Sequence, residues 1–432
     1  MKINYSEIID EIDDYKLSCY PPHYPVIKVW DKIKEGKIKQ IQKELTNHIA
    51  KSRLPAGLYI NIPFCKTKCK FCYLKVYTSQ TLLKKFISSL IKEMEIYSKY
   101  NIPVDSVYIA GGTSTLPRPE ELVDIFKALN KNFNLNKCRQ ITIETSPTFI
   151  DEDKIRILKN YGVNLIMLGV QSFNDEIIKN ENRYQNQSDI SRAVNILRKY
   201  NIPFNIDLIA GLTEPKTFIS DLYNLIKLKP DLVHLNKIKP VKDLNHKMEV
   251  ESQQKKGLKI LTKYGYKIID EESASLGYKF INIQGDMRYQ NNSNIIGIGP
   301  GSLTHIYSKL RYSTYFDLKE YSALIEKNLI PMEKFITISE MDEASFYIIS
   351  YISNGIRINE IKKKFPKLCK KIEMKIKKLI KKSAVIIKED KYFINEQEID
   401  AWYEITKNFY STKYIQKLNE RLSFIKDIQW KR

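Results

Sequence analysis

Residues 58–72 read LYINIPFCKTKCKFC, a short apolar run followed by three closely spaced cysteines. The apolar part, residues 58–62, has the composition and alternation of a β-strand. Cys65, Cys69 and Cys72 follow it directly in a C-x3-C-x2-C arrangement. This stretch therefore predicts a strand whose carboxyl end leads into a cluster of thiols.

Five more short β-branched runs follow the first, and stretches with helical periodicity separate them. The six predicted strands are residues 58–62, 106–110, 140–144, 165–170, 204–209 and 232–238. Strands separated by helix-length segments need crossover connections and pair in parallel, so the sequence predicts an α/β fold. Six such units favour a partial (β/α)6 barrel over a closed barrel of eight strands.

Polar residues and a glycine turn fall at or near the carboxyl ends of several predicted strands. They are Gly111, Gly112, Thr113, Glu144, Gln171 and Asp207. Because the loops that follow parallel strands converge at one edge, we expect these residues to lie near the cysteines. Each alone is more typical of a turn or a cap, but their shared position favours a functional site.

The α/β alternation predicts a core domain over residues 51–306. Residues 1–50 are helical and polar and are predicted to form an N-terminal extension. Residues 307–432 are predicted to form a mainly helical, winged-helix-like domain. Its predicted elements are a helix over residues 339–351, a basic amphipathic helix over residues 362–382 and a hairpin of residues 385–387 and 392–394.

The composition is that of a globular protein with a large positive charge. The 432 residues are 43% hydrophobic, which excludes a disordered or collagen-like chain, and their net charge is +21. Eleven lysines lie in residues 362–382 with one acid, Glu373. Such a run is usually a solvated helix face, so nucleic-acid binding is not expected. No run is long enough to span a membrane and the acidic N-terminus is unlike a secretory signal, so we expect a cytoplasmic protein.

Six cysteines without secretory context argue against a disulfide framework. Cys19, Cys138 and Cys369 are scattered and are predicted to be small, buried or half-buried side chains. The other three could bind zinc or an iron–sulfur cluster, but no second pair of ligands completes a zinc site. In a 4Fe-4S cluster, three thiolates leave one iron open. S-adenosylmethionine (SAM) can chelate that iron, and reduction can then give a 5′-deoxyadenosyl radical.

Several ordered blocks support this chemistry. They are YINIPFC at residues 59–65, AGGTS at 110–114, ETSP at 144–147, LGVQSFND at 168–175, NIDLIAGL at 205–212 and GIGPG at 297–301. With these blocks the sequence resembles radical SAM enzymes and, more narrowly, the oxygen-independent coproporphyrinogen III oxidase-like family. The resemblance covers residues 55–305 strongly and the C-terminal part weakly.

The resemblance implies a cluster site and a SAM bound to it. The implied cluster ligands are Cys65, Cys69 and Cys72. Phe71 would pack near the adenine, and Gly112 and Thr113 would meet the methionine moiety, where a glycine permits close backbone approach.

The family binds two SAM molecules. The positions that match their binding residues are Tyr59, Glu144, Gln171, Arg183 and Asp207. An acid suits a ribose hydroxyl or a sulfonium, and arginine suits a carboxylate. The loop over residues 297–303 would border the second SAM. Further candidate contacts are Gly111, Ile238 and Leu303.

The sequence departs from the family at four places. Leu74 stands where coproporphyrinogen oxidases have a fourth cysteine, Ala110 replaces a glycine, and Ser114 replaces a common proline. Residues 287–290 read MRYQ where the haem-chaperone branch has a His-Asn motif. The departures favour neither porphyrin decarboxylation nor haem carriage.

The remaining branch resembles the class C radical SAM methyltransferases and related enzymes that form C–C bonds. The implied reaction uses one SAM for the radical and the other as carbon donor to an sp2 carbon of a small-molecule substrate, by methylation or cyclopropanation. The alternatives are a coproporphyrinogen III oxidase, a haem carrier and a nucleic-acid binder that uses the basic helix. We expect a monomer with a reducing partner such as flavodoxin or ferredoxin. The sequence assigns no catalytic acid or base and no specific substrate.

Overall fold

The structure of the protein is a computed structural model. It describes residues 30–52, 54–239, 244–277, 283, 293–353, 355–395, 397–398, 401–412 and 414–417. Some sequence predictions concern residues outside this range, namely residues 1–29, which include Cys19, and residues 287–290. The chain forms two compact units. The core unit comprises residues 33–306 and 312–333, and the second unit comprises the described parts of 1–32, 307–311 and 334–432. The domain boundaries drawn from the sequence stay predictions.

Strands and helices alternate through most of the core unit. In chain order the described strands are β1 Asp31–Lys32, β2 Ala56–Ile62, β3 Val104–Gly111, β4 Gln140–Thr145, β5 Leu165–Gln171, β6 Phe204–Ala210, β7 Leu232–Lys237, β8 Tyr266–Ile268, β9 Ser273–Leu276, β10 Asn294–Ile298, β11 Leu303–Ile306, β12 Leu310–Thr314, β13 Met332–Thr337, β14 Ile356–Arg357, β15 Val385–Lys388 and β16 Lys391–Ile394.

The α-helices of the described residues begin with α1, which precedes β2. In chain order they are α1 Glu35–Ser52, α2 Gln80–Ser98, α3 Pro119–Asn132, α4 Glu152–Asn160, α5 Asp175–Asn180, α6 Gln187–Lys199, α7 Pro215–Lys227, α8 Leu244–Lys263, α9 Leu318–Glu326, α10 Glu340–Tyr351, α11 Ile358–Lys364, α12 Cys369–Lys381 and α13 Ala401–Phe409.

Local signals explain where several helices begin. The hydroxyl of Ser79 accepts a hydrogen bond from the Leu82 N–H and caps α2. Pro119 occupies the first turn of α3, where its missing N–H costs nothing. Ser339 and Asp342 form a capping box at α10, as the sequence predicts.

Seven parallel strands form the centre of the core unit, in the order β10-β2-β3-β4-β5-β6-β7. Strand β11 adds antiparallel to β10, and β9 and β8 add antiparallel beyond β7. Among the described strands β10 and β7 are not paired with each other, so the barrel is open. The predicted partial α/β barrel is confirmed, and its six predicted strands correspond to β2–β7.

Strand β10 was not predicted from the sequence. Residues 297–301 are rich in glycine and the sequence predicts a loop over residues 297–303, yet Gly297 pairs with Tyr59 inside the parallel sheet. A Cβ at Gly297 would lie 2.5 Å from the Leu303 carbonyl oxygen, so the glycine allows β11 to fold closely back. The strand places the glycine turn beside the carboxyl end of β2.

A group of buried side chains packs together across strands β3, β5 and β7 of the barrel. The cluster consists of Tyr108, Ala110, Leu165, Met167 and Leu232, with Tyr59 and Ile269 packed against it. Because side chains alternate along a strand, residues two apart, such as Tyr108 and Ala110, share one face of the sheet.

The second unit has its own core around α10, α12 and the three-stranded sheet β14-β16-β15. The predicted helix over residues 339–351 and the predicted hairpin are both present. The predicted single helix over 362–382 is wrong. It is divided into α11 and α12 because Pro366 follows Phe365 and cannot continue a helix. Strands β12 and β13 were also not predicted in this mainly helical part.

None of the helices among the described residues is long and apolar enough to span a bilayer.

Glu93 is a fully buried carboxyl on the inner face of α2. Its Oε2 accepts hydrogen bonds from the Gly299 N–H, at 2.7 Å, and from the Tyr321 hydroxyl. Burial raises its pKa from 4.5 to about 7, although both hydrogen bonds oppose the rise. The carboxyl thus links α2 to the glycine turn after β10.

The free energy of unfolding is expected to fall as the pH rises from about 4.5 to about 7, because the folded state then retains a proton that the unfolded state has lost. The shift corresponds to roughly 3 kcal/mol. Glu93→Gln should remove this contribution, whereas Glu95→Gln, exposed on the same helix, should not. Urea unfolding followed by circular dichroism at about pH 5 and about pH 8 measures it. An unchanged pH dependence in E93Q would show that the buried carboxyl is not its source.

Candidate active site

The three cysteines lie on one loop that is closed at its base. The Cys65 N–H donates to the Tyr77 carbonyl at 3.0 Å, and the Tyr77 N–H donates to the Pro63 carbonyl at 2.7 Å. Phe64 is buried under this bridge. The thiols of Cys65, Cys69 and Cys72 are half-buried. The loop therefore presents three thiols at the carboxyl end of β2.

A second segment, residues 181–184 after α5, braces the cysteine loop. The Lys70 N–H donates to the Glu181 carbonyl, and the Asn182 side chain donates to the Lys68 carbonyl, both at 3.0 Å. The Thr67 hydroxyl donates to the Asn182 carbonyl at 3.1 Å. These bonds hold the loop in one position over the barrel.

Arg183 connects the cysteine loop to β5. Its Nη1 lies 3.8 Å from the Cys69 sulfur, its Nη2 donates to the Gly169 carbonyl, and its Nε donates to Gln185 Oε1 at 3.1 Å. A guanidinium has five N–H donors, so two remain for a ligand.

Gly111, Gly112 and Thr113 form the turn after β3. Gly111 has a φ of 113°, which favours glycine. A Cβ at Gly112 would lie 2.4 Å from the Phe64 carbonyl oxygen, so the two loops are in backbone contact. The Thr113 N–H donates to that same carbonyl at 2.7 Å.

The Thr113 hydroxyl lies 3.7 Å from the Cys65 sulfur. Burial raises the pKa of Cys65, the hydrogen bond from Thr113 opposes the rise, and the other two thiols add to it. The three thiols are therefore close enough to influence one another electrostatically.

Gln171 ends β5 in a strained conformation with a φ of 72°. Its side-chain Oε1 is buried and has no hydrogen-bond partner within the described residues. An unpaired buried acceptor costs free energy unless a ligand or water supplies a donor. Gln171 Oε1 is therefore able to accept a hydrogen bond from a ligand or water.

A polar network occupies the barrel interior near the carboxyl ends of the strands. The rings of Tyr59 and Tyr108 stack with centroids 6.2 Å apart, and the Tyr108 hydroxyl donates to Glu144 Oε1. Burial raises the pKa of Glu144 to about 7, and the negative charge of Asp207 adds to the rise. The second carboxyl oxygen of Glu144 has no donor among the described residues.

Asp207 lies on β6, between Gly169 of β5 and His234 of β7. Its Oδ1 accepts a hydrogen bond from Asn205 Nδ2 and lies 3.5 Å from His234 Nδ1. Burial lowers the pKa of His234, but the contact with Asp207 outweighs it and the net shift is upward. Within the described residues no group donates to Asp207 Oδ2, so one oxygen is fixed and the other is open.

The remaining predicted contacts lie along the same edge. Phe71 is half-buried in the cysteine loop. Ile238 follows β7 and its N–H donates to the Ala210 carbonyl at 2.9 Å. Leu303 begins β11 and is 37% exposed. The roles of these three residues stay predictions.

The predicted polar residues thus divide into two groups. A loop group consists of Gly112, Thr113, Gln171 and Arg183, and its Thr113 and Arg183 side chains contact Cys65 and Cys69. An interior group consists of Tyr59, Glu144 and Asp207.

Three residues of the interior network were missed from the sequence. Tyr108 and Asn205 lie within apolar strands and were interpreted as strand interior. His234 lies two residues after Leu232, which belongs to the apolar cluster inside the barrel. That alternation places His234 on the same interior face and could have identified it.

Residues 59–222 match the sequence profile of the radical SAM superfamily. The matched segment is a radical SAM domain. Beyond this segment, the chain is similar to proteins named heme chaperone HemW or oxygen-independent coproporphyrinogen III oxidase. The heme chaperone HemW of Buchnera aphidicola is 28% identical over 351 residues, which is 75% of this chain and 93% of that protein. The oxygen-independent coproporphyrinogen III oxidase of Synechocystis is 26% identical over 322 residues, which is 67% of this chain and 68% of that protein.

The solved structure of coproporphyrinogen III oxidase (HemN) from Escherichia coli has the same fold as this chain. It superimposes with a TM-score of 0.71 at 20% identity and covers 90% of this chain and 96% of that one.

The radical SAM domain implies a 4Fe-4S cluster and SAM. The donor set fits a cluster, because three half-buried thiols are brought together on one braced loop. Among the described residues no three His, Cys, Asp or Glu side chains converge closely enough for a single metal ion. A cluster does not need such convergence, since each thiolate binds its own iron. The buried, unpaired oxygen of Gln171 fits a second, organic ligand beside the cluster.

Gly112→Ala is expected to disturb the protein at the contact between the cysteine loop and the turn after β3. The added Cβ would push the Phe64 carbonyl away and move Cys65 and Thr113 with it. We expect a loss of roughly 1–3 kcal/mol in stability and a lower iron content. Gly36→Ala is the matched control, because its Cβ would meet nothing within 4 Å. Iron analysis after reconstitution and thermal unfolding measure both effects. Normal iron content in G112A would show that this contact does not position the cysteines for cluster binding.

Proposed function

We propose that this enzyme cleaves SAM reductively at a 4Fe-4S cluster held by Cys65, Cys69 and Cys72, and uses the resulting 5′-deoxyadenosyl radical on a small-molecule substrate. The observation that carries the proposal is the placement of three half-buried thiols beside a backbone turn and an arginine. The two contacts are Thr113 to Cys65 and Arg183 to Cys69. When bound, cluster and SAM together supply the radical.

The residues of the loop group would bind and orient the SAM at the cluster. Gly112 lets the backbone approach closely, since no side chain covers it. The two remaining donors of Arg183 suit a carboxylate, and the unpaired oxygen of Gln171 suits an amino or hydroxyl donor. The brace formed by residues 181–184 would keep the loop closed against water.

We further propose that the interior group binds a second SAM, which serves as carbon donor to an sp2 carbon of the substrate. The support is that Tyr59, Glu144 and Asp207 form a polar group of their own. The open oxygens of the two carboxyls suit ribose hydroxyls or a cationic group. With a pKa of about 7, Glu144 could also hold or release a proton during the reaction.

Methyl-labelled SAM tests the carbon-donor proposal. With an aromatic or alkene-containing candidate substrate, label should enter the product while 5′-deoxyadenosine is formed. Glu144→Gln should lower label transfer more than it lowers 5′-deoxyadenosine formation, because it acts at the second SAM. Products without label, formed together with 5′-deoxyadenosine, would overturn the carbon-donor role and leave the radical chemistry intact.

A haem-chaperone function is a second candidate, favoured by the relative of that name whose length is covered to 93%. The residues at the position of the haem-chaperone motif, 287–290, lie outside the described range. Haem titration of the purified protein tests it. Stoichiometric haem binding without SAM cleavage would favour this candidate.

Coproporphyrinogen III oxidation is supported by the relative of that name in Synechocystis. Leu74, at the position of the fourth cysteine, is 40% exposed and supplies no ligand. Anaerobic incubation of the reduced enzyme with coproporphyrinogen III and SAM tests this function. Protoporphyrinogen formation would establish it over carbon transfer.

A further inference from the structure

The cysteine loop carries a concentrated positive charge. Lys66, Lys68 and Lys70 lie between the three cysteines of the loop, and Lys75 follows Cys72. All four lysine side chains are exposed. Two apolar side chains lie among them. Tyr73 is 69% exposed and Leu74 is 40% exposed. We call these six residues the lysine face.

The charges of the lysine face are not neutralised within the described part of the chain. None of the ion pairs there involves Lys66, Lys68, Lys70 or Lys75, although many other lysines are paired. Lys66 Nζ instead lies 3.7 Å from the ring centroid of Tyr184. This cation–π contact does not neutralise the positive charge of the lysine. The face therefore presents four positive charges to solvent.

The lysine face is also fixed in position. The loop that carries it is closed by the backbone bonds at Cys65 and Tyr77, and it is braced by the bond from the Lys70 N–H to the Glu181 carbonyl. Lys68 is held by the bond from Asn182 to its carbonyl. The charges thus lie on the same braced loop as the three thiols, rather than on a free tail.

We propose that the lysine face docks an acidic electron-transfer protein. The inference rests on the proposed function, because SAM cleavage needs one electron from outside the chain. The donor is oxidised by one electron and the cluster is the acceptor; no bond is made or broken in this step. The donor must come close to the thiols. The positive residues around exposed Tyr73 and Leu74 are complementary to a donor surface that has acidic residues around an apolar centre.

Nucleic acid is the other anionic partner that lysines attract. The structure favours the protein, because the charges surround the thiols that receive the electron and phosphate offers no electron. Steering by opposite charge raises association rates by roughly 10- to 1,000-fold at low salt. We therefore expect the partner to associate quickly and to be sensitive to salt.

The test compares K66E/K68E/K70E with the wild type, both as full chains with reconstituted cluster. Reduced flavodoxin is the protein donor and dithionite is the chemical donor. The variant should show a KM for flavodoxin raised by about 10-fold or more at low salt, with a smaller difference at about 0.5 M salt. With dithionite it should form 5′-deoxyadenosine at the wild-type rate. The matched control is K370E/K371E/K378E on α12, which changes the charge equally and should keep the wild-type KM.

A second readout does not depend on catalysis. Quenching of flavin fluorescence measures the complex of oxidised flavodoxin with the oxidised enzyme, and K66E/K68E/K70E should weaken this complex by about 10-fold. Unchanged binding, an equal loss with dithionite, an equal effect of the α12 control, or displacement of flavodoxin by RNA would each overturn the proposal. If the wild type forms no 5′-deoxyadenosine with dithionite, the proposed function fails, but the binding measurement still decides the docking.

Discussion

Replacing Cys65, Cys69 or Cys72 by alanine is expected to abolish cluster binding and SAM cleavage together. The three thiols are presented by one braced loop, and no fourth cysteine lies near them in sequence that could substitute. Losing a hydrogen-bonding partner of a metal ligand already costs roughly 10- to 100-fold in affinity, so losing a ligand should cost about 100-fold or more. Iron and sulfide analysis after anaerobic reconstitution measures this effect.

Cys138→Ala and Cys369→Ala are the matched controls for these variants. Both cysteines are half-buried, and neither lies in the loop. The Cys138 thiol is 3.3 Å from the Gln140 carbonyl, and the Cys369 thiol is 3.4 Å from Glu373. Both variants should retain iron. Full iron content in a variant of the loop, or its loss in a control, would contradict the assignment of the ligands.

Asp207→Asn is expected to weaken SAM binding by roughly 10- to 100-fold, since a hydrogen bond to a charged group contributes about 1.5–3 kcal/mol. The reason is the open Oδ2 of Asp207, which Asn205 and His234 orient by holding Oδ1. Equilibrium dialysis with the oxidised enzyme measures affinity without turnover. Asp124→Asn, exposed on α3, is the control and should bind SAM normally.

The same variant should change the titration of His234. In the wild type the pKa of His234 is raised because Asp207 outweighs the effect of burial. Without that carboxylate the effect of burial remains and the pKa should fall. The imidazole proton signals in an NMR titration report the midpoint. An unchanged midpoint in D207N would show that the two side chains do not interact in solution.

The sequence predicts the barrel well because strand and helix periodicities are local. The six predicted strands match β2–β7 closely at both ends. The sequence does not predict strand β10, because its glycines also suit a turn. Only the pairing of β10 with β2 makes it a strand. In the second unit, Pro366 divides a helix whose apolar periodicity continues on both sides of it.

Only part of the candidate site can be predicted from the sequence. The cysteines and the glycine turn have recognisable spacings, so their placement at one edge could be anticipated. The contact from Arg183 to Cys69 could not, because it depends on how residues 181–184 pack on the cysteine loop. The pairing of His234 with Asp207 likewise depends on the register of β6 and β7.

The central claim is that this enzyme cleaves SAM reductively at a cluster held by the three cysteines of one loop. Its most direct test is chromatographic detection of 5′-deoxyadenosine after anaerobic incubation of the reconstituted, dithionite-reduced enzyme with SAM. We expect 5′-deoxyadenosine from the wild type and none from the Cys69→Ala variant. An enzyme with a full, reducible cluster that leaves SAM intact would contradict the claim.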